Sequence, residues 1–184
     1  MRVSKNVCFI FPLLCILACS NREDHIRAEY LRFMACPVVI PHSTHCSPIQ
    51  SMNNDSTTYR LVFYIDSIGC TDCMISSLAE KEFQAQQDSL FNFIQFLYII
   101  DVDSLRGQHV INLLYRYRNK GIFIIDTQKT FIHNNPHFPT NPLFHTFLLN
   151  STDSVVLVGD PFVNARIKGL LSSLVYHHKN EDKD

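Results

Sequence analysis

Two cysteines stand three positions apart in the segment DSIGCTDCMISSL, residues 66–78. An apolar run, YRLVFYID at residues 59–66, leads into it, and apolar residues at helical spacing follow it. A cysteine at the start of a helix lies close to unpaired backbone N–H groups, which favour its thiolate form. The pair therefore predicts a reactive dithiol at the junction of a strand and a helix.

The spacing also predicts a role for each thiol. The thiolate is the attacking species in disulfide exchange, and a partner three residues later lies about one helical turn further on. We expect Cys70 to be the exposed nucleophile and Cys73 to be the more buried thiol that resolves a mixed disulfide. Asp72 places a negative charge beside both thiols, which should oppose thiolate formation, or else its carboxylate caps the helix.

The composition is that of a globular protein with one domain. The chain has 184 residues, of which 46% are hydrophobic and 18% charged, and its formal net charge is -1. A chain of this length is typical of a single domain. The balance of charges does not favour nucleic acid or an acidic membrane surface as a partner.

The N-terminus, MRVSKNVCFIFPLLCILACS, has a short basic head and an apolar stretch too short to span a bilayer comfortably. This pattern predicts a signal peptide over residues 1–18. The segment ILAC that ends at Cys19 resembles the lipobox of bacterial lipoproteins, which implies that Cys19 becomes the lipidated first residue of a membrane-anchored chain. A plain secretory signal is the alternative. Both place the protein outside the cytoplasm, in the cell envelope facing the periplasm or the exterior, where disulfides persist.

Four cysteines follow Cys19 in the sequence, namely Cys36, Cys46, Cys70 and Cys73. Cys36 and Cys46 could pair or stay free, because the sequence does not give their separation in space. A zinc site needs about four nitrogen or sulfur ligands, and His42, His45 and Cys46 could supplement the C-x-x-C pair. A purely structural disulfide within the pair is a further alternative. Redox exchange is favoured over both, with no metal and no cofactor.

The hydrophobic pattern divides the chain into a signal peptide (1–18), a tether with a short helix and a linker loop (19–58), a folded domain (59–178) and a charged tail (179–184). Within the linker, residues 37–41 predict one short edge strand between two prolines. In the domain, the pattern predicts strands at residues 59–66, 92–102, 121–126, 143–149 and 154–159, and helices at residues 73–89, 105–118 and 163–178, with a short helix or turn at 127–135. Strands that are apolar on both sides predict an α/β fold, with a central mixed sheet covered by helices on both faces.

With this order of elements, residues 59–176 resemble a thioredoxin-fold lipoprotein, broadly of the TlpA/ResA class. The resemblance rests on LVFYIDSIGCTDC, on the FIID strand, on the TFLLNSTDSVVLVG hairpin and on the C-terminal helix. It implies a thioredoxin-like thiol–disulfide oxidoreductase that exchanges disulfides with client proteins in the cell envelope and is served by a membrane or periplasmic redox partner. The alternative is a thioredoxin-fold binding or accessory lipoprotein with a structural or inactive cysteine pair.

Three features depart from the family pattern. Gly69 stands where an aromatic residue usually precedes the nucleophile, and the inner dipeptide is Thr71-Asp72 rather than a pair that contains proline. The family's cis-proline, which faces the cysteines, matches Phe144, and Pro142 lies two residues earlier. An open groove with a cis-proline would favour the oxidoreductase, and a groove filled by Phe144 would favour the binding protein.

Three other polar residues are candidates for a supporting role. Asp66 is the nearest acid before the pair and could assist proton transfer to Cys73, or it is a solvated residue at the end of a strand. Tyr64 is the other polar candidate on this strand. His145, next to Phe144, is either a proton donor or an ordinary strand residue that faces away from the site.

Overall fold

The computed structural model describes the backbone of residues 10–41, 59–67 and 69–181, and the side-chain surroundings within residues 23–41, 59–67 and 69–176. In this part of the chain the strands are β1 (Tyr59–Ile65), β2 (Ile94–Asp101), β3 (Ile122–Asp126), β4 (Thr146–Leu149) and β5 (Val155–Val158). The α-helices are α1 (Ile10–Ala35), α2 (Thr71–Ala85), α3 (Ser104–Arg116), α4 (Thr130–Asn134) and α5 (Ala165–Glu181). Short 3-10 helices cover Ser89–Phe93 and Pro142–Phe144.

The strands form one mixed sheet in the order β3-β2-β1-β4-β5. β2 is parallel to both β1 and β3, whereas β4 is antiparallel to β1 and to β5. The connections through α2 and α3 step across the sheet in the same direction, so right-handed crossovers place both helices on the same face. A parallel βαβ unit is thus followed by an antiparallel hairpin and a closing helix, which confirms the predicted thioredoxin-like fold class.

Each face of the sheet has its own hydrophobic core. Leu61 and Val62, successive residues of β1, are 1% and 0% exposed and belong to the cores on opposite faces. One core is closed by residues of α2, α3 and α5, and the other by residues of α1 and α4 together with Phe138. Because side chains alternate along a strand, burial on both faces explains why β1 reads as an unbroken apolar run.

The N-terminal part differs from the prediction in two ways. Helix α1 is continuous from Ile10 to Ala35, longer than the short helix expected after a tether, and the cleavage before Cys19 stays a prediction. Residues 37–41 form no strand. Pro37 makes a single β-bridge to Ser154, and the N–H of Val38 donates to the carbonyl of Asp153 at 2.8 Å. A proline has no N–H to continue a ladder, which limits this segment to isolated contacts.

The structure also differs from the prediction at the starts of two elements near the cysteines. Helix α2 begins at Thr71 rather than at Cys73, because Cys70 is already its N-cap residue. Strand β4 begins at Thr146 rather than at Leu143, because Pro142 starts a 3-10 turn that includes Leu143. Among the described residues, no helix is both long and apolar enough to cross a membrane.

Candidate active site

The cysteine pair lies at the start of α2, where the sequence predicts it. Cys70 has an extended backbone (φ -75°, ψ 94°) and is the N-cap residue, and Cys73 lies in the first turn of the helix. The Sγ atom of Cys70 accepts a hydrogen bond from the N–H of Cys73 at 3.3 Å. The two residues are joined by a disulfide, with their Cα atoms 5.3 Å apart. Cys70 therefore occupies the position where free helix N–H groups stabilise negative charge.

Both cysteines are exposed, so the expectation of a buried Cys73 is wrong. Helix α2 turns Thr71 and Ile75 into the core, where they are 7% and 0% exposed. Cys73 is two residues after Thr71, which is about 200° around the helix and hence on the side away from the core. Burial does not distinguish the two thiols.

The two cysteines line different cavities. Cys73 contributes to a groove of about 620 Å³ between α2 and the loop before β4, together with Pro142 and His145. Cys70 contributes to a smaller cleft of about 400 Å³ between α2 and α3, together with Asp72 and His109. Each sulfur-bearing residue can therefore be approached from its own side of the helix.

Asp72 contacts a histidine that sequence analysis missed. Its carboxylate oxygens lie 3.2 and 3.4 Å from Nε2 of His109 on α3, and both side chains are more than half exposed. The cap of α2 is Cys70, so Asp72 is not the N-cap. Residues 72 and 109 are far apart in sequence, and no pattern in the chain links them. Only the packing of α2 beside α3 brings them together, and a protonated His109 would offset the charge of Asp72.

Asp66 and His145 line the groove beside Cys73. Nδ1 of His145 lies 3.9 Å from a carboxylate oxygen of Asp66, and Nε2 lies 3.2 Å from the carbonyl of Pro139, to which it can only donate. Burial lowers the pKa of His145, and the Pro139 contact and the charges of Asp66 and Glu29 offset this effect in part. A histidine with a lowered pKa is mostly neutral at neutral pH, as a proton acceptor must be.

Tyr64 is committed to a different contact. Its hydroxyl donates to the buried carboxylate of Asp101 at 3.1 Å. Burial, and then the charge and hydrogen bond of Asp101, raise the pKa of Tyr64 far above its ordinary value. Its ring packs against His145 edge to face, with centroids 5.1 Å apart. Tyr64 thus supports the position of His145 and keeps its own proton.

The loop before β4 places Pro142, not Phe144, beside the pair. Pro142 lines the groove with Cys73, and no peptide bond of the described residues is cis. The ring of Phe144 turns toward Tyr30 of α1, with centroids 6.0 Å apart. Phe144 therefore does not fill the groove, and it packs instead against the core that α1 and α4 close.

Glu82 is a buried carboxylate that sequence analysis also missed. Glu82 is 6% exposed, and its carboxylate accepts a hydrogen bond from the hydroxyl of Tyr98. It also accepts the backbone N–H of Lys120 at 2.7 Å and that of Gly121 at 2.9 Å. Burial and the charge of Glu82 raise the pKa of Tyr98. A signal existed, because Glu82 continues the helical spacing of the buried stripe at residues 75–85. It fastens the helix that carries both cysteines to the loop before β3.

The remaining cysteine and histidine candidates do not join the site in the described structure. Cys36 is partly exposed and has no disulfide partner among the described residues. His42, His45 and Cys46 lie outside those residues, so their pairing and any metal binding by them stay predictions. Within the described ranges, no group of three or more His, Cys, Asp or Glu residues is placed to hold a metal ion.

No protein-family model and no curated protein sequence matches this chain. Among solved structures, the chain is similar to a domain of a possible thiol-disulfide isomerase from Cytophaga hutchinsonii, at 12% identity over 81% of this chain and 99% of that chain, with a TM-score of 0.44. It is similar to the bacterioferritin comigratory protein of Xanthomonas campestris, at 12% identity over 80% and 94% of the two chains, with a TM-score of 0.43. It is also similar to a cysteine mutant of PrxQ from Xylella fastidiosa, at 14% identity over 77% and 96%, with a TM-score of 0.44. Similarity this distant does not transfer an activity, so function has to be inferred from the residues of this chain.

Proposed function

We propose that this protein is a thiol–disulfide oxidoreductase of the cell envelope, which exchanges disulfides with client proteins through Cys70 and Cys73. The observation that supports this most directly is the hydrogen bond from the N–H of Cys73 to the Sγ atom of Cys70, at an exposed helix start. The same N–H would stabilise a thiolate on Cys70 after reduction. A dipole at the helix N-terminus favours that thiolate by about 0.3–1 kcal/mol.

The proposed reaction begins with the reduced pair. The Cys70 thiolate attacks one sulfur of a client disulfide, and the other client sulfur leaves as a thiolate that takes up a proton. Cys73 loses its proton and attacks the sulfur of Cys70, which releases the second client thiolate. The Cys70–Cys73 disulfide is formed, and two electrons have passed to the client. A redox partner has to reduce the pair again.

The direction of exchange follows from the charges near Cys70. The helix start favours the thiolate and the exposed carboxylate of Asp72 opposes it, so the two effects nearly cancel. A thiol that is only weakly acidic stabilises the reduced state little. We therefore expect a reducing pair that donates electrons to clients.

Trapping with single-cysteine variants tests the activity. Cys73→Ser should accumulate mixed disulfides with clients, because nothing resolves the Cys70 adduct, and Cys70→Ser should form none with them. Cys36→Ser is the matched control and should behave as the unaltered chain, since Cys36 lies outside the pair. A pair that neither cycles with a dithiol reagent in a redox titration nor traps any client would overturn the proposal and favour the binding-protein alternative.

We also propose that Cys19 carries the lipid anchor, as the lipobox-like segment implies. Cys19→Ser should then move the protein from the membrane fraction to the soluble fraction. Its urea unfolding midpoint should not change, because among the described side chains of α1, from residue 23 onward, those that pack on the core begin at Tyr30. If the Cys19→Ser protein stays with the membrane, the lipid anchor is refuted.

A further inference from the structure

The two sides of α2 offer separate routes to the cysteine pair. The groove on the Cys73 side is the larger cavity, and Cys70 is not among the residues that line it. The cleft on the Cys70 side has a different set of walls, on α2 and α3, and Cys73 is not among them. A disulfide can be attacked at either sulfur, and access to each sulfur is one of the factors that decide which is attacked.

The hydrogen bonding of the pair makes the two possible leaving groups unequal. If an incoming thiolate attacks Cys73, Cys70 leaves as a thiolate that already accepts the N–H of Cys73. If it attacks Cys70, the leaving thiolate is Cys73, for whose sulfur no such donor is present in the described structure. The more stable thiolate is the better leaving group. The larger cavity and the more stable leaving thiolate therefore both favour attack at Cys73.

We propose that the electron donor reduces the oxidised protein by attacking Cys73 through the groove, with Cys70 as the leaving thiolate; this rests on the proposed oxidoreductase function. Clients and donor then use different sulfurs. The reduced pair attacks clients through Cys70, and the oxidised pair is reduced through Cys73. The donor is a dithiol protein that presents one cysteine on an extended segment.

The reaction balances with a dithiol donor. The first donor thiolate forms a bond to the sulfur of Cys73, the Cys70–Cys73 bond breaks, and Cys70 holds the released electron pair. The second donor thiolate attacks the first donor sulfur, and Cys73 leaves and takes up a proton. The donor ends as a disulfide, and the pair ends with two more electrons and in its reduced state.

The walls of the groove favour an extended protein segment over a small thiol alone. In its wall, Nζ of Lys81 lies 2.7 Å from a carboxylate oxygen of Asp160, and both side chains are about one-fifth exposed. His145, Asp66 and Cys73 line the same groove. A cavity of about 620 Å³ has room for several side chains of a bound segment, and the polar groups on its walls can serve as hydrogen-bonding partners for that segment.

The attacked sulfur can be identified on the unaltered chain. The oxidised full-length protein is mixed briefly with a peptide that carries one cysteine, quenched with acid, alkylated and digested, and mass spectrometry then locates the peptide. The expected adduct is on Cys73, in excess over Cys70 by about fivefold or more. An adduct mainly on Cys70, or equal amounts on both, overturns the inference.

Blocking the groove gives a second, independent test. Ser77→Trp places an indole on an exposed groove position of α2 and should slow reduction by the peptide about tenfold, with a smaller effect on 2-mercaptoethanol. Glu80→Trp adds the same bulk to α2 outside both cavities and should leave both rates unchanged. If Arg106→Trp, in the other cleft, slows the peptide instead, the donor enters on the Cys70 side and the inference is wrong. If no thiol reduces the pair at all, the proposed function itself fails.

Discussion

Glu29 of α1 accepts two hydrogen bonds from Thr140, one from the backbone N–H at 2.6 Å and one from the hydroxyl at 3.0 Å. Thr140 belongs to the loop that walls the groove beside Cys73. The next residue of α1, Tyr30, contacts Phe144, which lies four residues after Thr140. The second half of α1 is therefore part of the folded domain and holds the groove loop in place, rather than serving as a free tether.

Phe33→Ala should destabilise the protein by about 3–5 kcal/mol, as expected for a buried phenylalanine. The ring is 2% exposed and packs edge to face on Phe138 and Phe147, with centroids 5.4 and 5.1 Å away. Urea unfolding of the full chain measures the loss. Leu31→Ala is the matched control, because Leu31 is 54% exposed and its removal should cost less than about 0.5 kcal/mol. Equal losses in the two variants would show that α1 does not close the core.

Glu82→Ala should cost about 3–5 kcal/mol, because the buried donors of Tyr98 and Gly121 and the partly buried N–H of Lys120 would lose their acceptor, at about 1–3 kcal/mol for each buried donor. Glu80→Ala, at an exposed position of the same helix, should change the stability by less than about 0.5 kcal/mol. The free energy of unfolding in urea distinguishes them. A Glu82→Ala protein as stable as the Glu80→Ala protein would mean that α2 is not fastened through this carboxylate.

Asp72→Asn should lower the pKa of the Cys70 thiol in the reduced protein and raise the reduction potential of the pair, because a negative charge beside the thiolate is removed. The effect should be at most about 1 kcal/mol, since the carboxylate is exposed and screened by salt. The ultraviolet absorbance of the thiolate during a pH titration measures it. His109→Gln removes a side chain that can carry positive charge beside Asp72, so it should have the opposite effect. A Cys70 titration that is identical in all three proteins would remove the Asp72–His109 pair from the mechanism.

The stability of the protein should fall as the pH drops below about 6.5, in part because of His145. Burial lowers the pKa of His145 in the folded protein, so the unfolded chain binds more protons in the range between its own pKa and the folded one. Above that range His145 is unprotonated in both the folded and the unfolded protein, and the stability that is lost at lower pH is fully present. One such group contributes a slope of at most about 1.4 kcal/mol per pH unit.

Urea unfolding between about pH 7 and pH 5 tests this contribution. His145→Gln should flatten the dependence, because glutamine can still donate to the carbonyl of Pro139 but does not titrate. His133→Gln, at an exposed position of α4, is the control and should keep the slope of the unaltered chain. An unchanged slope in His145→Gln would assign the acid loss to other groups.

Local patterns in the sequence were enough to predict the sheet and the position of the cysteine pair. The strands are short apolar runs, and residues 66–78 combine a strand end, a turn and a helix start within one segment. These signals act between residues close in sequence, through backbone hydrogen bonding and the alternation of buried side chains, so they can be read without the fold. The apolar pattern was less accurate at the ends of the elements. Strand β4 starts at Thr146 because Pro142 begins a 3-10 turn, and the apolar residues of that turn look like part of the strand in the sequence.

Tertiary structure decided which groups surround each sulfur. His109 reaches Asp72, and His145 reaches Asp66, only because α3 and the loop before β4 pack on either side of the cysteines. The same packing places Cys73 in the wall of one cavity and Cys70 in the wall of another. It also turns the ring of Phe144 away from the cysteine pair and toward Tyr30 of α1. Contacts between residues distant in the chain depend on the direction of each crossover and on which side of a helix meets the sheet. A cysteine pair at a helix start could be predicted from the sequence because neighbouring residues form that turn, whereas the cavity that each cysteine lines follows from the packing of distant elements.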